Sequence, residues 1–326
     1  MDVPKSKPLT RDYENRVGHV LPDSIVDEFD WGLIALLPLS VVATKLLTWS
    51  LFTTLLIGWA GRPLMKIGII GAGNVGSTAA QNFVEAGHEV MLSNSRGPET
   101  LTDLVDDLGP NAHAGTVSEA ADFGEVAMEA IPFNAYESLP ADTLSDKIVI
   151  SASNYYPGRD GLTDVGETHT DLIADHLEEA RVVKAFNSIY WENLRDGQQF
   201  EADPDDRLAI FIAGDDDEAK NVVSGLIEDI GFTPVDAGPL TEGGRHIEPG
   251  SPIYTASLTA SEARTRLAAL KATVAAYETG YYSSSQKVTL QELANELDMS
   301  EESLSEHLSQ GTEQLISQYL NSFPFN

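Results

Sequence analysis

A glycine-rich stretch at residues 65–77, "MKIGIIGAGNVGS", constrains the fold of this chain more than any other feature. The apolar run "KIGII" predicts a short buried strand, and residues 74–86 predict a helix. Between them, Gly71, Gly73 and Gly76 have the G-x-G-x-x-G spacing of a dinucleotide-binding turn. The first glycine permits the turn, the second leaves room for a pyrophosphate, and the third lets helix and strand approach closely. The helix N-terminus then offers free amides to the phosphates.

Strands and helices are predicted to alternate after this turn. Besides the first strand, buried strands are predicted at residues 88–93, 125–131, 147–151, 181–186, 208–214 and 232–237. Helical patterns, such as residues 171–179 and 216–230, separate most of them. This alternation predicts an α/β fold, a Rossmann-like doubly wound parallel sheet, for residues 65–255.

The end of the second predicted strand, "LSNSRG", indicates which dinucleotide is preferred. NAD-binding folds usually place Asp or Glu about 20 residues after the glycines, where it accepts hydrogen bonds from a ribose hydroxyl. Here the first acid, Glu99, lies beyond the strand end, which carries donor groups instead: Ser93, Asn94, Ser95 and Arg96. Such groups suit a ribose 2′-phosphate, and Arg96 can pair with it through two hydrogen bonds. The sequence therefore favours NADP over NAD.

Composition narrows the possible chemistry. The 326 residues include 51 acids and 20 bases, for a formal net charge of −31, and the acids are spread through every region. High salt screens such self-repulsion, so the charge predicts a halophilic, archaeal source, with an ordinary acidic protein as the alternative. The absence of cysteine excludes disulfides and thiol chemistry. No nucleophile triad, metal-ligand spacing or acid/base dyad is apparent in the core, so no catalytic or metal-binding residue is predicted.

The N-terminal extension, residues 1–64, contains an apolar segment at 31–60 that is long enough to span a bilayer. Acids precede the segment, while Arg62 and Lys66 follow it, so an anchor there would leave the nucleotide domain in the cytoplasm. Two alternatives stay open. Since Met65 opens the first strand directly, the extension could be a mis-assigned translation start, or the segment could pack on the protein as an arm.

The C-terminal part, residues 256–326, is predicted to be a small all-α domain. A long helical pattern at residues 258–282 is followed by a second helix with its apolar positions on one face: Leu290, Leu293, Ala294 and Leu297. Thr289 and Glu292 form a capping box at the start of this second helix. Another helix follows the turn "DMS", so the pattern predicts a helix-turn-helix.

Motifs taken in order along residues 65–255 resemble the NADP oxidoreductase, coenzyme F420-dependent family: "MKIGIIGAGNVGSTAAQNF", "SNSRGPETL", "AIPFNAYESLP", "SNYYPGRDG", "VVKAFNSIYWENL" and "PVDAGPL". In that family the dinucleotide lies across the strand ends, and hydride passes between its nicotinamide and a deazaflavin. The resemblance implies an NADP-dependent oxidoreductase with coenzyme F420 as its second cofactor. A flavin, a quinone or a small carbonyl stays open as the acceptor.

The resemblance also implies roles for individual residues. It implies that the turn binds pyrophosphate through Gly71, Ala72, Gly73, Asn74 and Val75, with Gly76 completing the motif. It implies that the 2′-phosphate lies at Ser95 and Arg96, next to Ser93 and Asn94. It implies that the ribose and nicotinamide contact Ala130, Ile131, Pro132, Ala185, Phe186 and Asn187. Glu129 departs from the apolar residue expected at the end of its strand.

Three other side chains could contact a cofactor or donate a proton because of their chemistry. His246, beside Arg245, could donate a proton or contact an anionic cofactor tail, although a solvated loop histidine is the commoner case. Tyr155 and Tyr156 could stack on a flat cofactor or pack at its rim.

The C-terminal pattern, over about residues 257–320, resembles the helix-turn-helix of haloarchaeal bacterio-opsin activator proteins, which bind DNA through the second short helix, here about 301–310. Between residues 286 and 326 a single base, Lys287, stands against seven acids, which opposes phosphate contacts. Three functions stay open: an NADP-linked oxidoreductase, a redox-responsive DNA-binding transcription regulator, and a non-catalytic nucleotide sensor at a membrane. The nucleotide motifs favour the first, as a cytoplasmic homo-oligomer whose helical tail serves dimerisation or tethering.

Overall fold

The computed structural model describes residues 63–161 and 168–322. Eight strands of this part form one sheet in the order β3-β2-β1-β4-β5-β6-β7-β8. The strands are β1 Lys66–Ile70, β2 Glu89–Ser93, β3 Ala112–Ala114, β4 Val126–Glu129, β5 Ile148–Ser151, β6 Arg181–Ala185, β7 Ala209–Gly214 and β8 Thr233–Asp236.

The helices between the strands are mostly short. They are α1 Asn74–Glu85, α2 Thr102–Leu108, α3 Val117–Phe123, α4 Ala141–Leu144, α5 Pro157–Asp160, α6 His169–His176, α7 Trp191–Asp196, α8 Asp217–Asp229 and α9 Leu240–Ile247. Three helices complete the described chain: α10 Ala260–Glu278, α11 Leu290–Glu296 and α12 Glu301–Ser322.

Helices cover both faces of the sheet, and successive residues of the central strands contact two different apolar clusters. In β5, Ile148 and Ile150 belong to one cluster, which also holds Phe83 of α1, whereas Val149 belongs to a second cluster with Ile173 of α6. Successive strand residues point to opposite faces, so this alternation places α1 and α6 on opposite sides. Strands buried on both faces read as continuous apolar runs, which is the pattern that the sequence shows.

The predicted Rossmann-like α/β sheet is confirmed, and the order of β1 to β6 is that of dinucleotide-binding folds. The expectation of a wholly parallel sheet is wrong at one pairing, since β7 runs antiparallel to β6. Parallel neighbours are usually joined by a helix that packs along the sheet, whereas the one helix between β6 and β7 is the six-residue α7, about 9 Å long. The chain enters β7 from the same end of the sheet at which it left β6. The three-residue strand β3 was too short to be predicted.

Three helices follow the sheet at the C-terminus, as the sequence predicts. The first half of α10 packs on the sheet, where Leu267 and Leu270 share a cluster with Phe211 of β7. Its second half packs on α11 and α12, where Leu293 and Leu304 lie in a further cluster. Close approach of α12 to α10 occurs at Gly311, where a Cβ would lie 2.4 Å from the carbonyl oxygen of Ala269.

The capping box at the start of α11 is confirmed: Thr289 Oγ1 accepts from the amide of Glu292 at 3.2 Å, and the Glu292 carboxylate accepts from the amide of Thr289 at 2.8 Å. Helix α12 runs on to Ser322, well past the predicted end at residue 310. Among the described residues, no helix has both the length and the apolar character needed to cross a bilayer. The candidate span at residues 31–60 lies outside the described residues.

Candidate functional site

The three glycines of the turn between β1 and α1 have different structural roles. Gly71 has a φ of 112°, a conformation that other residues rarely adopt. A Cβ on Gly76 would lie 1.9 Å from the carbonyl oxygen of Gly71, whereas a Cβ on Gly73 would meet no atom within 4 Å. Gly71 and Gly76 are therefore required for the turn itself, while Gly73 faces open space.

The N-terminus of α1 is free to bind an anion. Gly73 is its N-cap residue, so no side chain caps the first amides, and its first turn contains no acid. Free amides and the helix dipole both favour a negatively charged group at this position.

A cavity of about 660 Å³ opens beside this turn, a size usual for small-molecule sites. Its walls come from the carboxyl ends of β1, β4, β5 and β6, around the point where the strand order reverses. In doubly wound sheets, ligands bind at this reversal. Among the predicted cofactor residues, those that line the cavity are Gly73, Asn74, Val75, Ala130, Ile131, Pro132, Phe186 and Asn187.

The remaining predicted residues lie around this cavity without lining it. Gly71 and Gly76 form the turn, with Ala72 between them, and Ala185 is buried at the end of β6. Ser93 is also buried, and its hydroxyl donates to the carbonyl of Ile69.

The loop after β2 is organised by Asn94. Its Oδ1 accepts from the backbone amide of Arg96 at 2.8 Å, and its Nδ2 donates to the Thr100 hydroxyl at 2.9 Å. Ser95 and Arg96 are exposed at the tip of this loop. The amide of Gly71 donates to the carbonyl of Ser93 at 3.0 Å, so the loop starts against the glycine turn.

The end of β6 places an amide acceptor beside the cavity. Phe186 has a φ of 63°, which is unusual for a bulky residue and turns the chain sharply at this point. Asn187 Nδ2 donates to the carbonyl of Ile247 at 2.8 Å, which fixes the orientation of the amide. Its Oδ1 is buried and lacks a hydrogen-bond partner among the described residues. An orphaned acceptor here fits a ligand that donates an N–H group.

Aromatic side chains form the outer wall of the cavity. Tyr156, Tyr190, Trp191 and Tyr254 all line it. The hydroxyls of Tyr156 and Tyr254 share a short hydrogen bond, and the Arg159 guanidinium lies 5.0 Å from the centre of the Tyr156 ring. Burial and this bond to Tyr156 raise the pKa of Tyr254, which keeps it protonated. Of the two tyrosine candidates, Tyr156 lines the cavity, whereas the Tyr155 hydroxyl donates to the carbonyl of Gly161 at 2.7 Å.

A buried acid lies next to the cavity lining. Glu129, the last residue of β4, has 1% of its surface exposed. Its Oε1 accepts from the hydroxyls of Ser151 at 2.6 Å and Ser153 at 3.0 Å, while its Oε2 has no hydrogen-bond partner within the described parts of the chain. Burial raises the pKa of Glu129 to about 6, although the two serines and the charge of Lys184 act in the opposite direction.

Lys184, the fourth residue of β6, is fully buried, and its ammonium group uses all three of its donors. Nζ donates to Glu248 Oε1 at 3.2 Å, to His169 Nε2 at 3.0 Å and to the Thr170 hydroxyl. His169 Nδ1 lies 3.1 Å from Glu248 Oε2. Since Nε2 must accept from the ammonium, the proton of a neutral His169 is assigned to Nδ1.

These contacts fix the charges of the cluster. Burial raises the pKa of Glu248, but the hydrogen bond from His169 and the charge of Lys184 outweigh it and lower this pKa to about 2. Burial also lowers the pKa of His169, which leaves the ring neutral near pH 7. Glu248 and Lys184 therefore form a buried ion pair, and Glu129 is an additional acid beside it.

This cluster was hard to predict, because its members come from four separate segments of the sequence. One signal was Glu129, an acid at the end of an otherwise apolar strand, and the other was Lys184, a charged residue inside a predicted buried strand. His169 and Glu248 read as ordinary polar residues until the fold brings them together.

His246 does not lie in a solvated loop, as the sequence suggested, but on the half-buried helix α9. Burial lowers its pKa to about 4, helped by the nearby charges of Lys271 and Arg245. Arg245 lies 3.7 Å from the Glu278 carboxylate. Neither His246 nor Arg245 lines the cavity at the strand ends.

Two family models match this chain. Residues 66–155 match the family described as NADP oxidoreductase coenzyme F420-dependent. Residues 268–317 match the family described as HTH DNA binding domain. Both resemblances seen in the sequence are thereby confirmed.

Individual relatives agree with the first match. The chain is 32% identical over 177 residues to "Metalloreductase STEAP3" of Rattus norvegicus. The match covers 54% of this chain and 34% of the relative, so the chain spans about a third of that protein's length. The solved structure of a hypothetical protein, SMa0349, from Sinorhizobium meliloti is 29% identical, with a TM-score of 0.53, and the match covers 60% of this chain and 96% of that one. The nucleotide-binding part is therefore similar in sequence to NADP-dependent oxidoreductases over residues 66–155.

The raised pKa of Glu129 predicts how its replacement changes stability with pH. Folding raises this pKa from 4.5 to about 6, so the folded chain gains stability from the proton at low pH and loses it as the pH rises through about 6. That shift corresponds to roughly 2 kcal/mol above the transition. In Glu129→Gln, which carries no charge, the free energy of unfolding relative to the wild type should therefore rise by roughly 2 kcal/mol between about pH 4 and pH 7.5.

Denaturant unfolding of both proteins across this pH range measures the difference. Glu248→Gln is the matched control, since it removes a carboxylate whose pKa is lowered and should destabilise the protein at neutral pH instead. An unfolding free energy of Glu129→Gln that follows the wild type in parallel at every pH would contradict the assigned titration.

Proposed function

We propose that this chain is an NADP-dependent oxidoreductase that transfers hydride between NADP(H) and a second planar acceptor bound in the same cavity. One observation carries the proposal. A single cavity runs from the uncapped start of α1 at Gly73, past the ends of β4 and β5, to Asn187 after β6. Such a cavity has a phosphate-binding end and an aromatic-walled end, as hydride transfer between two bound cofactors requires.

Residues in and beside the cavity suit three parts of NADP. The turn at Gly71–Gly76 would hold the pyrophosphate on the free amides of α1. The exposed groups of Ser95 and Arg96 would bind the 2′-phosphate, in a loop whose shape Asn94 maintains. The unpartnered Oδ1 of Asn187 would accept from the carboxamide of the nicotinamide. When bound, NADPH supplies the hydride.

Coenzyme F420 is the acceptor that we propose first, on the strength of the family description that matches residues 66–155. Tyr156, Tyr190 and Trp191 would stack on its flat ring, and Arg159 would bind an anionic tail at the cavity rim. A flavin, a quinone and a small carbonyl are competing acceptors. A metal complex is a further one, because the curated relative is named a metalloreductase.

The assignment of Arg96 predicts a selective loss of affinity for NADP. In Arg96→Ala, the Kd for NADP should rise about tenfold or more, because a charge-assisted, two-bond contact with the 2′-phosphate is lost. The Kd for NAD, which has no 2′-phosphate, should stay unchanged. Titration calorimetry of both dinucleotides measures the two constants.

Arg264→Ala is the matched control, since Arg264 is also exposed but pairs with Asp205 on another part of the surface. It should leave both constants unchanged. An equal change in the Kd of NADP and NAD for Arg96→Ala would rule out the proposed 2′-phosphate contact.

The acceptor is tested by anaerobic mixing of the full chain with NADPH and F420. The proposal predicts loss of the F420 absorbance band at a rate well above that of either cofactor alone. The assay is run in dilute buffer and in molar salt, because the net charge of −31 predicts that salt stabilises the folded chain. NADPH oxidation by a flavin or a quinone, with no bleaching of F420, would reassign the acceptor and keep the oxidoreductase.

The helix-turn-helix match favours a second function, a DNA-binding regulator that responds to NADPH. Charge opposes it, because α12, the helix in the recognition position, carries four acids and no Lys or Arg. A recognition helix without Lys or Arg makes no charged contacts to phosphate, and its acids repel the DNA backbone.

Electrophoretic mobility of genomic fragments separates the two functions. We expect no retardation by the wild type, with or without NADPH, and weak retardation by the variant Glu302→Lys/Glu306→Lys, in which the exposed face of α12 gains two bases. Retardation by the wild type that depends on NADPH would establish the regulator instead.

A further inference from the structure

Glu129 is buried beside the cavity, and the binding of NADP gives it no role. It directly precedes Ala130, which lines the cavity, and its Oε1 accepts from the hydroxyl of Ser153, which lines the cavity too. Among the described residues, Ser153 is thus the one that both lines the cavity and donates its hydroxyl to the buried acid. Ser151 also bonds Glu129, but Ser151 is fully buried and does not line the cavity.

The surrounding charges leave Glu129 as the group that exchanges a proton. Lys184 is saturated by Glu248, His169 and Thr170, so its charge is already balanced by a carboxylate. Asp171, another acid near Lys184, accepts from the Thr241 hydroxyl at 2.7 Å and takes part in the capping box of α6.

Only one oxygen of Glu129 accepts hydrogen bonds from the described residues, because its Oε2 has no partner among them. A buried carboxylate with one unsolvated oxygen is costly, whereas the neutral acid needs fewer donors. Burial accordingly raises the pKa of Glu129 to about 6, within reach of physiological pH.

We propose that Glu129 stores a proton and delivers it through the Ser153 hydroxyl to the acceptor in the cavity. This inference rests on the proposed function, since it needs an acceptor that takes up one hydride and one proton, as a deazaflavin, a flavin, a quinone or a carbonyl does. Glu129 acts through Ser153 and is therefore a positioning and proton-storing residue.

The step balances. The hydride brings two electrons and one hydrogen to the acceptor, which then requires one proton. When Glu129 is protonated on Oε1, its hydrogen bond with Ser153 reverses, so that the carboxyl O–H donates to Ser153 Oγ and the Ser153 hydroxyl donates to the acceptor. The O–H bond of Ser153 then breaks as its proton passes to the acceptor, and the proton of Glu129 Oε1 re-forms that O–H bond. Glu129 is left as a carboxylate, which takes a proton from water through the same hydroxyl after the product leaves.

The first test measures the proton on Glu129 without turnover. Infrared titration of the wild type should show a protonated-carboxyl band that persists until the pH passes about 6, after the exposed acids have ionised, and that is missing in Glu129→Gln. Absence of any difference between the two spectra above about pH 5 would overturn the proposal.

The second test follows kcat for NADPH oxidation by F420 as a function of pH. In the wild type kcat should fall by about tenfold per unit above about pH 6, because the stored proton is lost. Glu129→Gln and Ser153→Ala should both lower kcat by about a hundredfold below this pH and remove its fall. Ser151→Ala, which removes a donor to the ionised form, should keep the fall and move it to higher pH.

Rescue separates the relay from a structural effect. Ser153→Thr keeps a hydroxyl and should restore the pH-dependent fall, and NADP binding followed by thermal shift verifies that each variant is folded. If Glu129→Gln keeps the wild-type pH profile, or if Ser151→Ala and Ser153→Ala behave alike, the relay is wrong while the oxidoreductase stands. If the folded wild type oxidises no NADPH with any acceptor of this class, the proposed function itself fails.

Discussion

The close contact between Gly76 and the carbonyl of Gly71 determines where the rest of the site can lie. Because a Cβ at position 76 would stand 1.9 Å from that oxygen, α1 can begin directly against β1 only with glycine there. The start of α1 then faces the ends of the neighbouring strands, and the pairing of β1 with β4 sets Ala130 beside the turn. One backbone contact thus fixes the start of α1 relative to the strand ends that line the cavity.

The reversal of β7 brings the last members of the site into place. Because β7 and β8 run opposite to β1–β6, β8 ends at the end of the sheet away from the cavity. Helix α9 then leads the chain back towards the cavity. That return places Glu248 against Lys184 and Tyr254 against Tyr156. A parallel β7 would have sent α9 the other way. The ion pair at Lys184 and the aromatic wall therefore both depend on the one antiparallel pairing.

The sequence predicted the parts of the molecule that depend on local pattern. The glycine spacing identified the turn, the apolar runs identified seven of the eight strands, and Thr289 with Glu292 identified a helix start. The direction of β7 could not be predicted, because it depends on the path of the whole connection from β6 and not on a local pattern. The cluster around Glu129 could not be predicted either, since its hydrogen bonds join residues that lie far apart in sequence.

A crystal structure of the chain with NADPH would show whether the cavity at the strand ends binds the dinucleotide. We expect the pyrophosphate on the amides at the start of α1, the 2′-phosphate at Ser95 and Arg96, and the nicotinamide between Ala130 and Asn187, within reach of Ser153. A dinucleotide bound elsewhere, or a cavity filled by side chains at saturating NADPH, would contradict this prediction.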